Sequence, residues 1–489
     1  MSQIARAVVT FVIVAIAVLA AGAGAPPARA ELLTVLTRDG GPIGGPAIRH
    51  GETFTAATGI SVAVVQRRFQ NLYGEIMIGF VTGKTQADVL LVPSAWLPDF
   101  APYLSPVPDA LIDSPLVAGI HPTFRDALMR WQGKWMAMTL DGDLHMGAYR
   151  RDLFEDAQNR ADFQRRFGRP LAPPRDWRDY LEIAGFFNGR PGPDGKPLAG
   201  TLEAFAEGGQ RLWFLFSHAA AYTHHPAYPG HFFFDPETMA PEIANPAWER
   251  ALGEYLATMK AGPDDAATIA SHDVRARFAA GAAAMAIDWS DIGVLAADRS
   301  RSAIADKVGF FVLPGSADVW NPHGRQWDRL PAARPVPFLA FGGWIAAVPL
   351  SARDPQRAWD YIAWLAAPER ADRDVMDGTS GFNPYRLSQL TDTAGWQRLL
   401  GKGAAEAYLA VLRASLSSPD TARDLRLPGY PAYMAALDKE VSKVIAGERP
   451  IHEALEAVAA QWEQITDRLG RASQLRHYRE AMGLPEVTP

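Results

Sequence analysis

Four short apolar runs in this chain end in polar residues beside a glycine or a tryptophan, and those ends carry the residue types that could do chemistry. Residues 32–36 run into Arg38-Asp39-Gly40-Gly41, and residues 87–92 into Pro93-Ser94-Ala95-Trp96. Residues 134–140 run into Asp141-Gly142-Asp143-Leu144-His145, and residues 283–287 into Asp288-Trp289-Ser290. An aromatic face packs on the C–H patch of a pyranose or polyol, while carboxylates and amides exchange hydrogen bonds with its hydroxyls. Ligands of open α/β sheets sit outside strand ends, so this set points to a neutral, hydroxyl-rich ligand. A further stretch, residues 337–369, has an apolar run broken by Gly342-Gly343 and followed by Trp344. Two residues without Cβ let the backbone turn sharply or approach a neighbour closely. Any one of these tryptophans suits core packing equally well; it is the repetition at strand ends that favours a site.

Other chemistries find less support. No zinc-protease helix, phosphate-binding glycine loop, dinucleotide fingerprint or nucleophile elbow occurs. His224, His225 and His231 lie near Tyr222 and Tyr228, but their spacing fits no standard metal site and they lack an obvious carboxylate partner, so they read as an aromatic surface loop. Asp141 with Asp143, and Asp288 with Asp291, have the composition of glycosidase carboxylates, which stand about 5–10 Å apart across a sugar. A secreted glycoside hydrolase using Asp143 or Asp288 is thus one rival, disfavoured because no paired glutamates sit on a strand end. A binding protein for a charged ligand is the other. A phosphodiester would call on Arg38 and Arg386, and a polyamine on the acids.

The elements that must position these residues alternate. Strand-like runs at residues 32–36, 61–66, 87–92, 134–140, 283–289, 307–313 and 344–348 are separated by helical patterns, the mark of an α/β fold. Asn245-Pro246 opens a helix whose Trp248, Leu252, Tyr255, Leu256 and Met259 share a face, and Gly262-Pro263 stops it. Asp354-Pro355 announces another. Leu455, Val458, Trp462, Ile465 and Leu469 step by three and four, an amphipathic helix packed on a core. Residues 191–197 and 321–337 read as loops.

The N-terminus reads as a secretory leader: a short basic start, an apolar run over residues 7–23 and a small-x-small site at Ala28-Arg29-Ala30. Cleavage after Ala30 predicts a periplasmic product starting at Glu31. There is no cysteine in 489 residues, which rules out disulfides, thiol catalysis and thiolate metal sites. An exported chain without disulfides relies on a large core, and this length suggests two or three lobes at about 150 residues each. The formal charge of −6 argues against nucleic acid as a partner.

With those residues in order, the chain resembles the extracellular solute-binding proteins of bacterial ABC importers, in the sugar-binding group with the maltose- and glycerol-phosphate-binding proteins. Phe54-x-x-x-Thr58-Gly59-Ile60-x-Val62, Gly83 followed by Ala87-Asp88-Val89, and Asp141-Gly142-Asp143 with Tyr149-Arg150-Arg151-Asp152-Leu153-Phe154 carry the likeness. So do Pro173-Pro174-Arg175-Asp176-Trp177, with Asp176 where the group has threonine, and the AAAMAIDW strand, with Asp288 in place of glycine. The resemblance implies a two-lobe periplasmic-binding-protein fold with a hinge and a ligand cleft between the lobes. It implies lobe one from residues 31–140 plus 341–372 and lobe two from residues 141–340 plus 373–489. Asp39 and Trp96 would face the ligand from lobe one. Asp143, Trp213, Asp288 and Trp289 would face it from lobe two, with Gly342, Gly343 and Trp344 near the hinge and Arg386 and Tyr430 as further contacts. It implies a monomer that binds a sugar or polyol without turnover or cofactor and docks on a membrane permease.

Overall fold

The computed structural model describes residues 32–208 and 210–485; the leader expected at residues 1–30 lies outside them. Two sheets organise the chain. In the first, Leu32–Arg38 pairs in parallel with Ser61–Arg67 on one side and Val89–Pro93 on the other. Trp344–Pro349 returns antiparallel to Val89–Pro93, placing Trp344 opposite Pro93, and also pairs with Leu104–Ser105 and Met138–Thr139. Val89–Pro93 and Trp344–Pro349 are buried along their whole length, which is why they read as unbroken apolar runs. The carboxylate of Asp88 accepts from Thr34 N at 2.8 Å and Arg353 N at 3.0 Å, tying the first strand and the loop before helix Pro355–Ala366 to the start of the central strand.

The second sheet runs Val308–Phe311, His145–Arg150, Ala283–Trp289, Ala199–Leu202. Its central pair is antiparallel, with Asp288 opposite Met146 and Trp289 opposite His145. Helix caps follow the sequence: Asn245 Oδ1 accepts from Ala247 N and Trp248 N at the head of Pro246–Lys260, and Asp354 Oδ1 from Arg357 N at the head of Pro355–Ala366. Asp176 caps Trp177–Phe187 through Asp179 N at 2.8 Å; its carboxylate does the work that a threonine hydroxyl could do there. Ile451–Leu469 buries Leu455, Val458, Trp462 and Ile465, while Leu469 at its end is exposed.

Three expectations are corrected. Residues 134–140 do not form one strand: Lys134–Trp135 folds back on Arg130–Trp131 through Gln132 and Gly133, both at positive φ, and only Met138–Thr139 joins the first sheet. Residues 321–337 are not simply a loop, because Ser316–Asn321 and Gln326–Arg334 pair as an antiparallel hairpin. Strands His145–Arg150 and Ala199–Leu202 were not foreseen; each contains glycine and lacks alternation, since both of its faces are covered.

Near its C-terminus the chain touches both halves. The buried guanidinium of Arg426 donates to four backbone carbonyls: Ser94 O at 3.3 Å, Leu128 O at 3.1 Å, Arg130 O at 2.8 Å and Ala127 O. Asp99 Oδ1 accepts from Gly429 N at 2.9 Å. On the other side, Asp438 Oδ1 accepts from Arg211 Nε at 2.6 Å, and Trp462 stacks on Phe234 with ring centroids 5.1 Å apart.

Candidate functional site

A cleft of about 310 Å³ opens between the two sheets, and side chains from both meet in it. Arg38, at the end of the first strand, and Trp344, just past the glycine pair, line one wall; Asp143, Arg275, Trp289 and Asp291 line the other. Phe341, at φ +69, turns its ring into the same wall as Trp344, with centroids 6.0 Å apart. The glycine pair explains that turn. Gly343 sits at φ +118, and a Cβ there would lie 2.2 Å from the carbonyl oxygen of Asp141. Gly342, at φ +76, would put its Cβ 2.7 Å from Ser94 Oγ, and Gly343 O accepts from Ser94 N at 2.9 Å. The bend exists because backbone meets backbone where the lobes join.

Asn383 organises the opposite wall. Its backbone N donates to Asp141 Oδ1 at 2.6 Å, and its Nδ2 donates to Asp143 Oδ1 at 2.7 Å and to Asp141 Oδ1 at 3.3 Å. Its Oδ1 accepts from Ser290 Oγ at 2.7 Å and Asp291 N at 2.8 Å. One neutral amide thus fixes two acidic strand ends. Beside it, Arg275 from helix Ser271–Ala279 is held in a fork: Nε and Nη2 donate to the two oxygens of Asp288 at 3.0 and 2.9 Å, and Nη1 donates to Asp291 Oδ2. A guanidinium has five N–H groups and these contacts use three, so two remain, and the side chain keeps some exposure to the cleft. Its plane lies over Trp289, 5.9 Å from the ring centroid. Trp289 Nε1 donates to Ala340 O at 3.1 Å, which fixes the indole against the chain that returns to the first sheet.

The electrostatics follow from burial. Desolvation pushes Asp288 up to about 7, with Arg275 pulling against it. Asp141 is pushed up to about 7 by burial and by Asp291, against the hydrogen bonds of Asn383. Burial, then the charges of Asp141 and Asp291, holds Asp143 well above the ordinary carboxylate range. Burial opposes the charge of Arg275, but Asp288 and Asp291 outweigh it, so the guanidinium stays firmly protonated. Burial keeps His145 neutral behind this wall, where its Nδ1 shares a hydrogen with Ser217 Oγ at 2.8 Å.

Of the residues expected at the site, Asp143, Trp289 and Trp344 line the cleft. Asp288 does not: it is fully buried behind Arg275, so the carboxylate expected to face the ligand instead positions a guanidinium. Asp39 is exposed beside Arg38 and outside the wall. Trp96 is stacked under Phe69, centroids 5.6 Å apart, in the core of the first lobe. Trp213 packs behind the wall, edge-on to Phe341 at 5.0 Å, with Nε1 donating to Asp424 Oδ2 at 2.7 Å; the hydroxyl of Tyr430 donates to the same oxygen at 3.0 Å. Arg386 is buried elsewhere, with Nη1 on Ala366 O at 3.2 Å. Gly342 and Gly343 act through backbone contacts. Sequence reasoning missed Arg275, Asn383 and Phe341. Arg275 stands two residues from Arg277, and only the register of its helix separates the one aimed at the cleft from the one paired with Asp265.

Two of the three histidines of residues 224–231 do have carboxylate partners: His225 Nε2 lies 3.2 Å from Asp328 Oδ2, and His231 Nδ1 2.7 Å from Glu242 Oε1. Among the described residues no group of three or more such side chains could hold a metal ion, and no helix is long and apolar enough to cross a membrane.

Two lobes around a polar, tryptophan-lined cleft define a binding protein, and comparison with known proteins places it. The chain belongs to the bacterial extracellular solute-binding protein family, whose profile matches residues 51–399. It is similar to a mannitol-binding protein of Pseudomonas aeruginosa, 26% identical over 247 residues, which is 50% of this chain and 48% of that protein. The match thus spans about half the length of that relative. In fold it is similar to an ABC transporter solute-binding protein from Agrobacterium radiobacter K84 in complex with ribitol, with a TM-score of 0.69 at 18% identity, covering 90% of this chain and 100% of the other. A maltose-bound protein of T. maritima gives the same TM-score and identity over 89% of this chain and 100% of its own.

Proposed function

We propose that this protein is the substrate-binding component of an ABC importer, capturing a small sugar or polyol in the periplasm and delivering it, as a monomer and without turnover, to a membrane permease. The carrying observation is the cleft itself: two tryptophan faces, a guanidinium with two free N–H groups and buried carboxyls, converging on about 310 Å³. That volume is at the small end of ligand pockets, roughly 300–1,000 Å³, and suits one sugar ring or a five- or six-carbon polyol better than an oligosaccharide. The mannitol-binding relative and the ribitol complex support the same class. Lobe one is taken as residues 31–140 plus 341–372, and lobe two as residues 141–340 plus 373–489. Ligand touching Arg38 and Trp344 on one side and Asp143 and Arg275 on the other favours closure, because only the shut cleft offers both walls. Against hydrolysis, Asp288 and Asp291 converge on one arginine instead of facing each other across a sugar.

A second reading, an acidic sugar, rests on Arg38. Its Nε donates only to Asp39 O at 3.3 Å, and among the described residues its guanidinium is in no ion pair. The test is thermal unfolding of the mature protein with D-mannitol, ribitol, D-sorbitol, D-fructose, maltose and D-gluconate. A true ligand at a hundredfold excess over Kd adds about 2.7 kcal/mol and quenches or enhances the emission of Trp289 and Trp344. Stabilisation by gluconate alone selects the acidic reading, and no response to any compound removes both.

A further inference from the structure

We infer that ligand capture is proton-linked: the empty cleft holds a proton between Asp141 and Asp143, and a bound ligand's hydroxyl groups expel it. This rests on the sugar or polyol reading and concerns the regulation of the same site.

The two carboxyls come from one three-residue turn, Asp141-Gly142-Asp143, and both are buried. Their Oδ1 atoms converge on a single nitrogen, Asn383 Nδ2, at 3.3 and 2.7 Å. Among the described residues, Asn383 is the donor to both carboxyls. Two ionised carboxylates held on one neutral amide repel each other, and a proton on either one removes that repulsion. The surroundings give that proton no cationic replacement. Facing the pair are Asp288 from the strand that ends at Trp289, Asp291 just beyond that strand, Arg275 from the helix above it, neutral Asn383 from the loop of residues 381–386, and His145, which burial keeps neutral. Four carboxyls therefore stand against one guanidinium, and that guanidinium is already taken by Asp288 and Asp291. Asp141 Oδ2 and Asp291 Oδ1 are buried without any hydrogen-bond partner. Burial raises both members of the pair, with Asp141 at about 7, inside the range where a periplasmic protein works.

Asp143 is the member that lines the cleft. A polyol hydroxyl that donates to it stabilises the ionised form, as any hydrogen bond to a carboxylate does. Binding then lowers its proton affinity, the shared proton leaves to solvent, and by reciprocity protons weaken ligand binding. Asp143 thus turns from a partner of Asp141 into an acceptor for the ligand.

The experiment is calorimetric titration of the full mature protein with whichever panel compound stabilises it most, at pH 6.5 in phosphate and in imidazole, followed by Kd measurements between about pH 5.5 and pH 8. The observed enthalpy should differ between the buffers in the sense of proton release. Affinity should fall toward acid by up to about tenfold per pH unit. In Asp143→Asn, and independently in Asp141→Asn, the buffer dependence and the pH slope should vanish. Equal enthalpies with a flat pH profile in the unmodified protein overturn the proposal and leave the sugar or polyol reading standing, as does a slope that survives both substitutions. Failure of every panel compound to bind overturns the reading itself, and the proposal with it.

Discussion

Asp288→Ala distinguishes a carboxylate that contacts ligand from one that holds an arginine in place. Asp288 is fully buried, accepts two charge-assisted hydrogen bonds from Arg275 at 2.9 and 3.0 Å and a third from Trp289 N at 2.9 Å. Removing one partner of a buried ion pair costs about 3–5 kcal/mol, because the other charge is left uncompensated. Asp291 still meets one edge of the guanidinium, which puts the loss at the low end, about 3 kcal/mol. For a chain of this length the unfolding entropy makes that a fall of about 3 °C in Tm. Asp288→Asn keeps the volume but points an amide N–H at the guanidinium, so it should recover little. Both variants are to be measured without ligand by calorimetry and by urea unfolding, and then titrated with the sugar or polyol. Affinity should fall as well, since Arg275 loses the fork that aims its free N–H groups. A Tm unchanged to within about 1 °C, with affinity lost, would refute the structural role and return Asp288 to the ligand.

Two further outcomes follow from buried contacts. Gly343→Ala should destabilise by about 3 kcal/mol or more and weaken ligand binding, because its Cβ would meet the Asp141 carbonyl and push the Asp141–Asp143 turn; Gly342→Ala, facing a movable serine hydroxyl, should cost about 1–2 kcal/mol. Equal losses in urea titrations would contradict that difference. Burial pushes Asp424 up to about 7, despite hydrogen bonds from Trp213, Leu425 and Tyr430, so between about pH 4 and pH 7 the folded state binds more protons there than the unfolded state. Stability from this group is therefore lost as pH rises through that window. Asp424→Asn should flatten the pH dependence of Tm between about pH 4 and pH 7, and an unchanged slope would show that the carboxyl does not titrate in that window.

Much of the frame is legible without coordinates, because its signals are local. Leu32–Arg38, Val89–Pro93, Ala283–Trp289 and Trp344–Pro349 are apolar runs flanked by turn residues, and Asn245 and Asp354 announce their helices directly. The hairpin of Ser316–Asn321 and Gln326–Arg334 escapes because its paired strands carry charge and a proline and bury little. The site was legible as a set of strand ends but not residue by residue. Composition shows that Asp288 and Trp289 end a strand; it cannot show which of two successive side chains turns to the cleft and which turns back to an arginine. Strand pleating decides that, and Trp289 faces the cleft while Asp288 faces helix Ser271–Ala279. Asn383 escaped because its role, bridging Asp141, Asp143 and Asp291, exists only once three distant segments meet.

The guanidinium of Arg426 is held by the dipoles of four carbonyls and, among the described residues, by no salt bridge; burial lowers its pKa to about 10, with Glu480 pulling the other way. The guanidinium itself therefore keeps its charge through neutrality, whereas Asp424, two residues earlier in the same segment, is pushed by burial up to about 7. In the cleft, burial raises Asp141 and Asp288 to about 7 as well. Acidification thus reaches the frame and the cleft together, and the clasp at Arg426 is the part whose charge it does not alter. Asp424→Asn separates the two effects, because it removes the titration in the frame and leaves that of the cleft in place.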